Sequence, residues 1–87
     1  MATESNQDID IAALMREYNI ILKYITGKAY EKLNKYIRTK TNTWRTCDIQ
    51  YLRNELNYHV QKYLNTNDKE QLPDIVNYCA MLLQREP

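Results

Sequence analysis

The sequence predicts an all-α domain, a small bundle of three to four helices, on two observations. Glycine occurs once and proline twice in 87 residues, too few turn formers for the many reversals of a β protein. Apolar side chains recur at spacings of three and four, which gathers them on one face of a helix. A chain this short buries a modest core, and helical domains of this size often gain stability by oligomerising. A homo-oligomer is therefore expected.

Taken in order, residues 1–7 read as a disordered tail, ahead of a single helical domain over 8–87. A first helix is expected from Asp8 as N-cap, with Asp10 favouring the positive end of the helix dipole. Its apolar stripe is Ile11, Leu14, Met15, Tyr18, Ile21, Leu22 and Ile25. Gly27 ends or bends it. A second helical stretch carries Ala29, Tyr30, Leu33, Tyr36 and Ile37 on one face. Thr39 to Thr43 is a polar connector of weak helix formers. The next helix, capped by Thr46 or Asp48, shows Ile49, Leu52, Leu56, His59 or Val60, and Tyr63. Leu64 to Asp68 reads as a turn. The last helix is expected to bury Ile75, Val76, Cys79, Leu82 and Leu83, with Pro73 in its first turn, where a missing N–H costs nothing.

Composition narrows the function classes. The formal net charge is +1, but it is unevenly placed. Residues 23–45 hold seven basic residues against one acid, net +6, whereas residues 1–22 sum to −3 and residues 46–87 to −2. A nearly neutral chain thus presents a basic centre to phosphates or nucleic acid. Tyr24, Tyr30, Tyr36 and Trp44 interleave with those cations, as bases stacking on aromatic rings require. Eight tyrosines with no phenylalanine suit half-buried seams and interfaces. No apolar run approaches the ~18 residues of a membrane span, so no membrane partner is expected. The polar, acidic N-terminus is unlike a signal or transit peptide. The two cysteines, Cys47 and Cys79, lack metal-type spacing, and two reduced thiols in a cytoplasmic protein is the expectation.

Two stretches carry the chemistry that the sequence suggests. The first is Trp44, a turn, Ile49-Gln50-Tyr51-Leu52 and then Arg53-Asn54-Glu55-Leu56-Asn57-Tyr58-His59. The second is Gln71-Leu72-Pro73-Asp74-Ile75-Val76-Asn77-Tyr78, running into Cys79-Ala80-Met81-Leu82-Leu83. Over residues 28–86 this order resembles the all-α nucleoside triphosphate pyrophosphohydrolases of the MazG-like type. The Asn77-Tyr78 pair is similar to one found in short phage and archaeal members. The resemblance implies dimers or tetramers, and magnesium held between a Glu-Glu-x-x-Glu helix and a Glu-x-x-Asp helix.

Set on that pattern, Asn54 stands for the first glutamate, Glu55 keeps the second, and Tyr58 replaces the third. Gln71 replaces the glutamate of the second motif and Asp74 is kept. The resemblance therefore makes Glu55 and Asp74 the surviving metal ligands. It makes Lys35, Arg38, Lys40 and Arg45 the phosphate-binding residues, and Asn77 a contact behind the metal or on the base side. No catalytic residue is assigned. Magnesium prefers charged oxygens and substrate phosphates, so a site this depleted is expected to bind it weakly. A helix starting at Pro73 would leave Gln71 outside it, and Glu70 would stand in only if the helix ran back through the proline.

Each residue also has a purely structural reading. Glu55 and Asp74 are then solvated helix acids, His59 a satisfied half-buried histidine, Trp44 a core anchor, and the cysteines inert. The expectation is a MazG-like fold that is catalytically degenerate and binds nucleotides at most. Its rival is a helical oligomeric interaction protein of viral or plasmid type, binding a protein or nucleic acid through the basic centre.

Overall fold

The computed structural model describes residues 9–41 and 43–86, so the expected tail and the Asp8 cap lie outside the described residues. Three helices follow one another: α1 over Ile11–Lys40, α2 over Ile49–Thr66 and α3 over Gln71–Arg85, with a short 3-10 turn at Thr43–Arg45. No strand occurs among the described residues. No helix among them is long and apolar enough to cross a membrane.

Helix α1 starts where Asp10 Oδ1 accepts the Ala13 N–H (3.1 Å), satisfying one of the orphan amides of the first turn. It runs unbroken for 30 residues. The expected boundary at Gly27 does not exist. A glycine costs a helix about 1 kcal/mol relative to alanine but keeps its N–H and its hydrogen bond, unlike proline. The second expected stretch is therefore the C-terminal half of α1. On it Ala29 is buried and Leu33 and Tyr36 are half-buried, while Tyr30 and Ile37 face out. The helix ends at Thr41, whose positive φ turns the chain while its N–H still reaches the Ile37 carbonyl (2.9 Å).

Asp48, rather than Thr46, caps α2 by accepting the Gln50 N–H (2.9 Å). Its expected face is the one found, with Leu52 fully buried and Ile49, Leu56, His59, Val60 and Tyr63 half-buried. The helix runs into the expected turn as far as Thr66 and closes within it at Asn67. That residue takes the left-handed conformation that asparagine tolerates, and its N–H bonds the Tyr63 carbonyl (2.8 Å).

Helix α3 begins at Gln71, so Pro73 occupies its third position and interrupts no hydrogen bond. Its buried face keeps the expected Leu82, with Ile75 and Val76 half-buried, but departs from the expectation at Cys79 and Leu83. Tyr78, Met81 and Leu82 are buried, whereas Cys79 is exposed and Leu83 is 78% exposed. The helix has an apolar residue on nearly every side between Ile75 and Leu83, so composition alone leaves its rotation open. Contacts at Gln71, Tyr78 and Met81 fix it.

The core is Leu52, Tyr78, Met81 and Leu82, with Leu33, Tyr36, Trp44, Cys47, Ile49 and Leu56 against it. All of it lies around α2, α3 and the second half of α1. The first half of α1 projects beyond. The protein accordingly measures 51 × 28 × 25 Å with a radius of gyration of 17.0 Å, against about 12 Å for a compact chain of this length.

Candidate functional site

Of the residues singled out by the sequence, Asp74, Gln71 and His59 come together between the helices, with Lys32 of α1. Asp74 sits in the first turn of α3, where the positive end of the helix favours an acid. Its Oδ2 accepts from Lys32 Nζ (2.9 Å), and both side chains are mostly covered. Lys32 also donates to the Glu70 carbonyl, and the Glu70 carboxylate lies 4.0 Å from the same nitrogen. An ammonium from α1 thus occupies the place between Glu70, which precedes α3, and Asp74 in its first turn.

His59 of α2 approaches the same point. Gln71 Nε2 donates to Asp68 Oδ2 (3.0 Å), which turns its Oε1 toward His59. A carbonyl oxygen only accepts, so the His59 proton sits on Nδ1 and is donated to Gln71. The imidazole stacks on Tyr78 with ring centroids 5.4 Å apart, and its Nδ1 lies 3.8 Å from Asp74 Oδ2. Asp68 accepts both from Gln71 and from the Glu70 N–H, and these two bonds, in that order, hold its carboxyl below the usual range.

Glu55 lies one turn along α2 from Tyr51, whose hydroxyl donates to it (3.1 Å). Burial first, and then this bond to Glu55, raise the Tyr51 phenol above its ordinary pKa. Tyr78 is raised much further, mainly by burial and then by the negative charge of Glu55, with a smaller part from Asp74. Asn54 accepts from Gln50 Nε2 (2.9 Å), and Tyr58 points to solvent with its ring edge against His59.

Asn77 is a link between helices. Its Nδ2 donates to the Ala29 carbonyl (2.8 Å), pinning α3 to the middle of α1, a bond with a net value of about 1 kcal/mol. The hollow between Lys32, Asp74, Asn77 and Tyr78 measures about 30 Å³, space for a water or two and not for a phosphate group.

The basic residues are dispersed. Lys35 is exposed, Arg38 donates to Asn34 (3.0 Å), Lys40 lies over the Tyr36 ring and Arg45 over the Trp44 ring. Trp44 packs against the core, and an open apolar groove of about 170 Å³ runs between it, Leu33, Asn77, Ala80, Met81 and Gln84.

The donor set does not fit a resident divalent cation. Lys32 already neutralises Asp74, Glu55 is engaged by Tyr51, and Gln71 is committed to His59 and Asp68. Among the described residues no three of His, Cys, Asp and Glu converge in the manner of metal ligands.

Sequence reasoning missed Lys32 and Arg85. Lys32 had a signal: it follows Ala29 by three and precedes Tyr36 by four, a cation set on the apolar seam of α1. Arg85 had none. Its Nη1 donates to the carbonyls of Trp44 (2.9 Å) and Cys47 (2.7 Å), tying the connector to the end of α3. No protein-family model, curated protein or solved structure matches the chain.

Proposed function

We propose that this chain works by association, as a small helical interaction protein that assembles with copies of itself and offers its basic centre to an acidic partner such as nucleic acid. One observation carries this reading. The face of α1 that covers the core at Ala29, Leu33 and Tyr36 continues without a break through Ile25, Leu22, Tyr18, Met15 and Ile11. On that stretch Met15 is 63%, Leu22 58% and Tyr18 56% exposed. Leaving such a stripe in water forgoes about 25 cal/mol for each Å² of apolar surface. If assembly stabilises the fold, the thermal midpoint rises with protein concentration. A rise of roughly 5 °C over a hundredfold range is expected for a domain of this size, and a midpoint independent of concentration would sink the reading.

A second reading, favoured by the order of motif residues along α2 and α3, is a catalytically degenerate MazG-like protein that binds nucleotides. On this reading magnesium binds only through the phosphates of the ligand, because Lys32 neutralises one of the two acids. Calorimetric titration with magnesium alone is expected to give millimolar or weaker affinity. Micromolar affinity would show that other acids, Asp68 and Glu70 first, form a site.

A further inference from the structure

We infer that the outer face of α1 between Lys23 and Arg38 is a docking surface for single-stranded nucleic acid. The inference rests on the basic-centre half of the reading above and gives it a place and a ligand. The cations of α1 close no pocket, but four of them share one face. Lys23, Tyr30 and Arg38 form one row along the helix, at steps of seven and eight residues. Tyr24, Lys28 and Lys35 form the neighbouring row, at steps of four and seven. All six are exposed, on the side of α1 turned away from Ala29, Leu33 and Tyr36. The surface runs roughly 20 Å along the helix axis. Glu31 is the single acid between its ends. No ion pair among the described residues engages Lys23, Lys28, Lys35 or Arg38.

Two arguments select an unpaired strand. The first is charge. Four cations set against one acid along a straight helix suit a ligand with a repeating negative charge, whose phosphates they neutralise in turn. The second is the pair of rings. Tyr36 and Trp44 pack against the core and are spent on the fold. Tyr24 and Tyr30 are each 70% exposed. A ring held in water beside a cation is a platform for an unpaired base, whereas the bases of a duplex already stack on one another. Lys28 Nζ stands 5.8 Å from the centre of the Tyr24 ring, a span that one nucleotide covers with its base on the ring and its phosphate on the ammonium. Gly27, three residues from each tyrosine, puts no side chain between them, and open space lies above it. An acidic protein would engage the cations and leave the rings idle.

The test is fluorescence anisotropy with the full chain, using an end-labelled oligothymidylate of roughly 20 nucleotides and a duplex of the same length. The single strand is expected to bind more tightly than the duplex. Its log K is expected to fall against log salt with a slope of about −2 to −3, as three or four neutralised phosphates require. Lys28→Gln with Lys35→Gln is expected to flatten that slope by roughly 1.4. Lys62→Gln with Lys69→Gln, equally exposed but on α2 and the turn after it, is expected to leave it unchanged. Tyr24→Ala and Tyr30→Ala are each expected to weaken binding roughly fivefold or more at unchanged slope. None of these positions belongs to the core, so the helical circular dichroism should persist in every variant. Equal affinity for the duplex, with no effect of the tyrosine variants, would overturn the single-strand assignment and leave the basic centre standing. Equal flattening by the Lys62 and Lys69 pair would overturn the placement on α1. No binding to either form at about 50 mM salt would overturn the inference and the basic-centre half of the reading together, while self-association is judged separately by the thermal midpoint.

Discussion

Pyrophosphate release from nucleoside triphosphates is expected to run at least ~100-fold below the roughly 10 per second typical of enzymes. Resemblance to the MazG-like family would by itself suggest an active enzyme. The residues suggest otherwise. Asn54, Tyr58 and Gln71 bring no charge where the family pattern has glutamates, and two of them are spent on bonds within the protein. Gln71 holds His59 and Asp68, and Asn54 holds Gln50. The best-placed acid, Asp74, is neutralised by Lys32. Each tenfold in rate corresponds to about 1.4 kcal/mol of barrier, so losing only part of such a site suffices. The assay is pyrophosphate release across ribo- and deoxyribonucleoside triphosphates with magnesium or manganese. Turnover near one per second on any of them, abolished by Glu55→Gln, would overturn the degenerate reading.

The parts of the fold that could be read in the sequence are those where burial leaves a periodic trace. The stripe of α1 and the face of α2 follow directly from apolar spacing, and Asp48 stands out as a cap. The continuity of α1 through Gly27 is less legible, because glycine weakens a helix without breaking it, and long-range contacts on either side decide. The rotation of α3 is illegible for a different reason. Its apolar residues surround the helix, and the choice of Tyr78 and Met81 over Cys79 and Leu83 is made by α1 and α2. The candidate site shows the same division. Glu55 and Asp74 can be picked out by motif, but what holds them cannot, since Lys32 lies 42 residues from Asp74 in sequence. Residues matched to a chemical motif here act as fastenings: Asn77 to α1, Gln71 to α2.

Replacing Tyr18 and Leu22 together by lysine is expected to weaken self-association by at least ~100-fold, because each buried aliphatic or aromatic side chain is worth about 1.5–3 kcal/mol and the added charges would have to be desolvated on the apolar seam. Both positions lie outside the core around Leu52, Tyr78, Met81 and Leu82, so the helical circular dichroism should survive the change. The unmodified chain offers the most direct measurement. Light scattering at tens of micromolar is expected to give a mass at least twice the 10.5 kDa of one chain, with the double lysine variant returning to that value. A single species of 10.5 kDa for the unmodified chain throughout that range would contradict the claim that another copy covers the exposed seam of α1.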